Sequence, residues 1–318
     1  MDEVHLVTGG AGFIGSHLVE ALLRDGHRVR VFDDFSTGLR QNLDGLPIQP
    51  EIVEGSLIDP DAVTEAVRGV GTIYHLGALA SVARSVESPL VSHAACATGT
   101  LHVLDAARRL GVKRVVYAAS SSAYGGVSST DGQTEELLPA ALSPYAAAKL
   151  AGEYYLQAFA ATYGLETVRL RFFNIFGPRQ RADSPYSGVI AIFTALVSAG
   201  KAPTVHGDGL QSRDFTYVAN AVQALRKAAA APAERVSGRV YNVGTGRSVT
   251  ILELVQALNR LLGQQLTPIH GPPRPGDVRY SRADIRRSRA DLGYEPDVSF
   301  EQGLKETVRW YLEENRRG

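Results

Sequence analysis

A tyrosine, a lysine and three serines occur at spacings that suit proton transfer. Ser120–Ser122 follow an apolar run whose composition predicts a buried strand. Tyr145 and Lys149 are four residues apart, in a segment that starts with Ser143, a favoured helix N-cap, and Pro144, which suits the first helical position. Because residues i and i+4 share one helix face, we expect the phenol and the ammonium to be within reach of each other. The ammonium would lower the pKa of Tyr145 from its usual value of about 10, which makes Tyr145 a candidate general base. A serine hydroxyl could share a hydrogen bond with the reacting oxygen.

The elements that must position this set begin with a glycine-rich turn. The apolar run Val4–Val7 predicts a buried strand, the motif Gly9-x-x-Gly12-x-x-Gly15 follows it, and a helix is predicted over 13–24. Glycines let the backbone approach a pyrophosphate, and the helix N-terminus offers free N–H groups to it. A ligand-free turn would contain similar glycines, and a surface helix could carry the same Tyr–Lys spacing. Their combination indicates a dinucleotide site.

An acidic pair, Asp33-Asp34, follows the second predicted strand at 28–32, about 20 residues after the glycine turn. Asp33 is placed to accept hydrogen bonds from the adenosine ribose and to repel a 2′-phosphate. No lysine or arginine follows until Arg40. The sequence therefore predicts NAD rather than NADP.

Predicted strands and helices alternate through the first half of the chain. Strands are expected at 4–8, 28–32, 50–54, 72–75, 114–118 and 167–172. Helices are expected between them at 13–24, 60–68, 89–110 and 144–163. This alternation predicts a parallel sheet with helices on both faces, and ligands then bind beyond the carboxyl ends of the strands.

Beyond Asn174, loops rich in glycine and proline alternate with helices predicted at 189–199, 217–230, 250–262 and 300–315. We expect residues 1–173, with a returning segment at about 214–243, to form the NAD-binding domain. Residues 174–213 and 244–318 are expected to form a smaller lobe that binds the substrate.

The composition excludes several classes of protein. Lys+Arg and Asp+Glu both number 33, and this zero net charge argues against binding to nucleic acid or to an anionic membrane. The one cysteine, Cys96, cannot form a disulfide within the chain, and the first residues do not resemble a secretory signal. The sequence contains no run of about 18 apolar residues, and its histidines lack metal-ligand spacing. We therefore expect a cytoplasmic protein without a metal site.

The motifs resemble those of the extended short-chain dehydrogenase/reductases, the NAD-dependent epimerase/dehydratase family, and within it the nucleotide-sugar 4-epimerases. The resemblance covers essentially the whole chain. The matching segments are Thr8–Ser16, Asp33-Asp34, His75–Val82, Ser120–Gly125, Tyr145-x-x-x-Lys149, Arg171–Pro178, Gly207–Phe215, Tyr241–Gly244 and Arg274–Asp277. It implies an α/β fold, with a Rossmann-type doubly wound parallel sheet and a smaller α/β substrate-binding lobe. It also implies a tightly held NAD, a UDP-sugar substrate and a homodimer formed through the helices near 89–110 and 144–163.

The resemblance also assigns site residues. Catalysis is expected from Tyr145, Lys149 and Ser120, with Ser121 as the next candidate for the hydroxyl. The expected cofactor-binding residues are Gly9, Gly12, Phe13, Ile14, Gly15, Asp33, Asp34, Ser36, Thr37, Gly38, Ser56, Leu57, Leu76, Gly77, Ala78, Ala118, Tyr145, Lys149 and Phe172. The expected substrate-binding residues are Ser81, Ser121, Ser122, Asn174, Val189, Val205, Arg213, Arg274, Asp277 and Ser281. Cys96 departs from the family pattern, which often has asparagine beside the cofactor.

The expected reaction is 4-epimerisation of a UDP-hexose. Dehydratases of the superfamily carry Asp-Glu where this chain has Ser121 and Ser122, and its decarboxylases carry Glu in place of Ser122. The remaining chemistry, as the resemblance implies it, is removal of the O4 proton by Tyr145, transfer of the C4 hydride to NAD, and its return to the other face of a 4-keto sugar. Ser281 is small where enzymes restricted to glucose and galactose carry tyrosine, so UDP-N-acetylglucosamine and UDP-N-acetylgalactosamine are expected substrates as well.

Three alternatives stay open. The chain could be a UDP-glucuronate 4-epimerase, with Arg179 or Arg181 meeting the carboxylate, or another nucleotide-sugar oxidoreductase of the superfamily. It could also be a catalytically silent dinucleotide-binding scaffold. Such proteins typically lose the tyrosine or the lysine, and both are present here.

Overall fold

A seven-stranded parallel sheet forms the centre of the protein. The structure, a computed structural model, describes residues 3–125, 132–182, 188–273 and 278–317. The strands are β1 Val4–Thr8, β2 Arg28–Asp33, β3 Glu51–Glu54, β4 Val70–His75, β5 Arg114–Ser120, β6 Glu166–Phe172, β7 Ile175–Phe176, β8 Thr204–His206, β9 Ser212–Arg213, β10 Thr216–Tyr217, β11 Arg239–Val243, β12 Val249–Thr250 and β13 Ile269–Gly271. The central sheet has the order β11-β6-β5-β4-β1-β2-β3.

Helices cover both faces of the sheet. They are α1 Phe13–Arg24, α2 Gln41–Asp44, α3 Pro60–Val67, α4 Val82–Glu87, α5 Pro89–His93, α6 Gly99–Arg109, α7 Pro144–Tyr163, α8 Val189–Ser198, α9 Val218–Ala230, α10 Ala233–Val236, α11 Ile251–Leu262, α12 Arg286–Leu292 and α13 Phe300–Arg317. One core contains residues of α1 and α9, and a second contains residues of α3, α6 and α7 on strand residues of the sheet. The expected doubly wound α/β fold is confirmed.

A third core lies among the elements of the second half of the chain. It is built from α8, α11 and α13 and includes Phe193, Leu254 and Leu304. α11 begins with a capping box, in which the Thr250 side chain accepts from the Glu253 N–H and the Glu253 carboxylate accepts from the Thr250 N–H. β11, by contrast, pairs with β6 in the central sheet. The division into two domains at residues 173, 214 and 243 stays a prediction.

One element differs clearly from its prediction. The single helix expected over 89–110 is interrupted by a π-helical turn at Ala94–Thr98, between α5 and α6. Hydrophobic spacing could not show this, because a π turn changes the hydrogen-bond partners of the backbone by one residue while the chain stays helical. α4, just before Pro89, was not predicted either.

Candidate functional site

A cleft of about 1750 Å³ lies at the carboxyl ends of the central strands. The sheet order reverses between β1 and β4, which is where ligands bind in folds of this kind. All of the predicted cofactor-binding residues line the cleft, from Gly9 to Phe172, together with Ser120 and the substrate candidates Ser81, Ser121, Ser122, Asn174, Arg213 and Ser281. The structure thus brings most of the predicted site together in one place.

Four predicted substrate residues are not among these lining residues. Val205 is buried in the third core, and Val189 packs against it. Both valines thus contribute to the third core rather than to the wall of the cleft, although Gly188, next to Val189, does line it. Arg274 and Asp277 lie outside the described residues.

The glycine turn leaves room for an anion at the start of α1. Gly9 has φ +68°, and a Cβ atom on Gly15 would lie 2.1 Å from the Gly9 carbonyl oxygen. The N-cap of α1 is Gly12, which has no side chain to cap the helix. The first N–H groups of α1 are thus free for a phosphate ligand, and the helix dipole favours its negative charge.

Asp33 lies at the end of β2 and is 8% exposed. Its Oδ2 accepts from the Ala11 N–H at 2.9 Å and its Oδ1 from the Phe35 N–H at 2.9 Å. Burial raises the pKa of this carboxyl, although the two backbone hydrogen bonds act against that rise. A carboxylate has about four acceptor sites, so about two remain for ribose hydroxyls. The turn and Asp33 together fit a pyrophosphate and an adenosine ribose.

Ser120, Tyr145 and Lys149 meet at the centre of the cleft. Ser120 ends β5, where its Oγ accepts from the Ser122 hydroxyl at 2.8 Å, and its hydroxyl is close enough to Tyr145 to lower the pKa of the phenol in part. α7 starts as expected, since the Ser143 hydroxyl accepts from the Ala146 N–H. Ser120 and Ser121 both line the cleft, and the choice between them as the catalytic hydroxyl stays a prediction.

The expected electrostatics of Tyr145 need a correction. Burial raises the pKa of its phenol well above the ordinary value, the nearby Cys96 raises it further, and the Ser120 hydroxyl lowers it in part. The Lys149 ammonium donates to the Ala118 carbonyl at 2.8 Å and lies 4.7 Å from the centre of the Tyr117 ring. Burial lowers the pKa of Lys149. Desolvation in the cleft, which sequence spacing cannot reveal, is thus the largest influence on the pKa of Tyr145.

At the end of the cleft where the substrate is expected, Arg213 makes hydrogen bonds to backbone carbonyls. Its guanidinium donates to the Ser212 carbonyl at 2.8 Å and to the Val278 carbonyl at 2.6 Å. Asn174 has φ +39°, an uncommon conformation for a non-glycine residue, and its side-chain amide donates to the Asp214 carbonyl. Ser281 lies beside them, since its N–H donates to the Ser212 carbonyl at 3.2 Å.

Sequence analysis missed two supports of this end. The fully buried Asp214 carboxylate accepts from the N–H groups of Thr245, Gly246 and Ala283, and so ties two loops to the residue next to Arg213. α4 forms part of the cleft wall, and Ser81 caps it by accepting from the Arg84 N–H. A serine before a short apolar segment was the available signal for that helix.

The geometry defines a dinucleotide-binding enzyme with a hydroxyl, phenol and ammonium at its reaction centre. The sequence model described as "NAD dependent epimerase/dehydratase family" matches residues 5–244. The UDP-glucose 4-epimerase of Mycolicibacterium smegmatis is 38% identical over 309 residues, which are 96% of this chain and 97% of that protein. The chain belongs to the NAD-dependent epimerase/dehydratase family, and its cofactor is NAD.

Solved structures of similar proteins agree over nearly the whole chain. A UDP-glucose 4-epimerase from Thermotoga maritima with UDP-glucose has a TM-score of 0.93 at 36% identity, covering 98% of this chain and 99% of that one. A UDP-N-acetylglucosamine 4-epimerase from Methanobrevibacter ruminantium in complex with UDP-N-acetylmuramic acid has a TM-score of 0.92 at 36% identity, with the same coverage. The described residues contain neither a helix that could span a membrane nor a group of three or more side chains suited to hold a metal ion.

Proposed function

We propose that this enzyme is a UDP-sugar 4-epimerase that accepts UDP-glucose and UDP-galactose and also their N-acetylated counterparts. The observation that carries the proposal is that Ser120, at the end of β5, lines the cleft with Tyr145 and is followed by Ser121 and Ser122 rather than by acids. Dehydration and decarboxylation require a proton donor beside the sugar, and this segment contains only hydroxyls. Similar proteins support a UDP-sugar: the M. smegmatis and T. maritima enzymes are named for UDP-glucose, and the M. ruminantium enzyme for UDP-N-acetylglucosamine.

The residues act on the oxygen at C4 of the sugar. Bound NAD supplies the acceptor and donor for the C4 hydride. Tyr145 takes the O4 proton, and the Ser120 hydroxyl holds that oxygen in place by a shared hydrogen bond. Since burial raises the pKa of Tyr145, positive charge is needed to form the phenolate near neutral pH, and Lys149 is the ammonium one helical turn away.

Product analysis by NMR tests the reaction. The enzyme, loaded with NAD, is incubated with UDP-glucose, UDP-N-acetylglucosamine or UDP-glucuronate. We expect the C4 epimer to form without accumulation of NADH, and Tyr145→Phe to abolish it. The matched control is Tyr163→Phe, an exposed tyrosine on the same helix, which should leave turnover unchanged. Accumulation of NADH, formation of a 6-deoxy product or release of CO₂ would each indicate a reaction other than the proposed one. Turnover by Tyr145→Phe would show that Tyr145 is not the base.

The choice of sugar rests on Ser281, which lines the cleft with a small side chain. Ser281→Tyr should suppress turnover of UDP-N-acetylglucosamine while UDP-glucose is still epimerised. Equal losses for both sugars would contradict this role. The uronic-acid alternative is weaker, because the Arg179 guanidinium is already paired with the Glu20 carboxylate at 2.6 Å.

We also propose a homodimer. Apolar and aromatic side chains of α5 and α7 are exposed, among them Leu90 at 83% and Tyr154 at 59%, and the two helices lie side by side. A second copy would bury this surface. Light scattering should give twice the chain mass, and Leu90→Lys combined with Tyr154→Lys should give monomers. A wild-type monomer at micromolar concentration would contradict the proposal.

A further inference from the structure

A continuous series of hydrogen bonds runs through the interior behind the cleft. The hydroxyl oxygen of Thr8, the last residue of β1, lies 2.7 Å from Nδ1 of His75, the last residue of β4. His75 Nε2 lies 2.9 Å from the Thr100 hydroxyl, and that hydroxyl donates to the Cys96 carbonyl at 2.6 Å. Thr8, His75 and Thr100 are at most 1% exposed. None of these contacts belongs to the set that would touch the sugar.

The partners fix the direction of every hydrogen bond. A carbonyl only accepts, so the single hydroxyl proton of Thr100 is used on Cys96. The Thr100 oxygen must then accept from His75, which places the imidazole proton on Nε2. His75 Nδ1 is consequently an acceptor, the Thr8 hydroxyl donates to it, and the Thr8 oxygen accepts from the Gly77 N–H at 3.1 Å.

The imidazole is neutral in this arrangement. Burial lowers the pKa of His75 to about 3, and the charge of Lys149 acts in the same direction. The Tyr117 ring lies between the two groups, 5.5 Å from the His75 ring and 4.7 Å from the Lys149 ammonium. A neutral His75 leaves Lys149 as the cation of this cluster.

The series ends at the π-helical turn beside the reaction centre. In an α-helix the Cys96 carbonyl would accept from the Thr100 N–H. Here the Thr100 hydroxyl donates to that carbonyl, which belongs to the π-helical turn, so the side chain ties the turn to the start of α6. Cys96 and Ala97 of this turn form a small apolar cluster with Leu79 and Tyr145.

The other end of the hydrogen-bond series lies beside the glycine turn that begins at Gly9. Thr8 directly precedes Gly9, and a Cβ on Gly9 would lie 2.8 Å from the backbone of Gly77. The two strand ends are thus in close contact where Thr8 and His75 bond. We expect a change in the orientation of His75 to shift both the glycine turn at Gly9 and the apolar cluster that contains Tyr145.

We infer that His75 is a positioning residue: with Thr8 and Thr100, its Nε2–H tautomer fixes the π-helical turn against Tyr145 and thereby sets the contact between Tyr145 and the sugar oxygen. The inference rests on the proposed function in so far as it names the sugar oxygen. The tautomer and the hydrogen-bond series do not depend on it.

Paired substitutions at Thr100 test the role. Thr100→Val keeps the shape and removes the hydroxyl, whereas Thr100→Ser keeps the hydroxyl. We expect Thr100→Val to lower kcat about tenfold with KM within about twofold, and Thr100→Ser to stay near the wild type. The matched control is Thr194→Val on α8, since the buried Thr194 hydroxyl has no hydrogen-bond partner among the described residues. Equal losses in Thr100→Ser and Thr100→Val, or none in either, would overturn the inference.

Nitrogen NMR of the wild-type protein gives a readout that needs no substrate. With ¹⁵N-labelled histidine, the His75 resonances should show an unprotonated Nδ1 and a protonated Nε2 between pH 6 and 8. Thr100→Val should shift the Nε2 resonance and leave the other histidines unchanged. A protonated Nδ1 would refute the series even if Thr100→Val failed to fold. If no UDP-sugar is turned over while the tautomer is found, the proposed function fails and the hydrogen-bond series stands.

Discussion

Arg171 and Glu153 form an ion pair in the protein interior, with three hydrogen bonds from the guanidinium to the carboxylate at 2.8–3.2 Å. Arg171 lies on β6, and Glu153 lies on α7 one turn beyond Lys149. Both side chains are almost fully buried. Burial alone would lower the pKa of Arg171, but the hydrogen bonds and charge of Glu153 raise it. The pair therefore fastens the helix of the reaction centre to the sheet.

Arg171→Met should lower the free energy of unfolding by about 3–5 kcal/mol, because it leaves the Glu153 carboxylate buried without its partner. Urea denaturation measures the change. Arg68→Met, which breaks an exposed ion pair with Glu65, should cost at most about 1 kcal/mol. Adding Glu153→Leu to Arg171→Met should recover much of the loss, and similar costs for the Arg171 and Arg68 variants would contradict this account.

Gly15→Ala should abolish retention of NAD by the purified protein. Its Cβ would meet two backbone groups, the Gly9 oxygen at 2.1 Å and the Gly10 Cα at 2.8 Å, so the phosphate turn must open. Gly45→Ala is the matched control, because a Cβ there meets nothing within 4 Å. The cofactor content, measured by absorbance after denaturation, should be unchanged in the control. Normal retention by Gly15→Ala would show that the turn does not carry the pyrophosphate.

Asp33→Asn should weaken NAD binding about tenfold or more and reduce the preference for NAD over NADP. An amide cannot accept from Ala11 and Phe35 and still serve the ribose, and it no longer repels a 2′-phosphate. Calorimetric titration of the cofactor-free protein with both dinucleotides gives the two affinities. Asp44→Asn, an exposed carboxylate on α2, serves as the control. An unchanged ratio of the two affinities would remove Asp33 from cofactor choice.

His17 should make the protein less stable in mild acid. Burial lowers its pKa to about 4, and Arg179 adds to this, while the hydrogen bond to the Pro178 carbonyl and the charge of Glu20 act against it. As the pH falls below about 6.5, the unfolded chain binds a proton at this histidine and the folded chain does not. Stability from this group is therefore present above pH 6.5 and is lost as the pH falls toward 4, with about 2 kcal/mol gone at pH 5.

The variant His17→Gln keeps a donor for Pro178 and removes the titration. Its unfolding free energy should fall less between pH 7 and pH 5 than that of the wild type, by urea denaturation at both pH values. His270→Gln, at an exposed position, should follow the wild type. Parallel losses in all three proteins would mean that other groups control acid stability.

Several features were predictable because they depend on neighbours in sequence. The strand, glycine turn and helix around Gly9 follow one another along the chain, and Asp33 follows the next strand. The cap of α7 by Ser143 needs only the residues that follow it. The fold class and the cofactor, which were predicted from these local features, are confirmed by the sheet order and by the family match.

The remaining features depend on partners that are distant in sequence. Val205 belongs to a core that residues of α8, α11 and α13 also build, and burial in the finished cleft is the largest influence on the pKa of Tyr145. The Thr100 hydroxyl, which bonds to the π turn before α6, also bonds to a histidine at the end of another strand. Neither hydrophobic period nor motif spacing records such contacts.

The place of β11 beside β6 has a consequence for the protein during synthesis. β6 ends at Phe172, and its outer neighbour begins only at Arg239, after α8 and α9. Until the ribosome has released that later segment, β6 presents a row of unsatisfied backbone groups on a strand whose side chains are nearly all destined for the interior. Nascent chains paused in this interval are open to pairing with one another. Pairing of β11 with β6 thus covers this strand edge and removes the site at which nascent chains could pair.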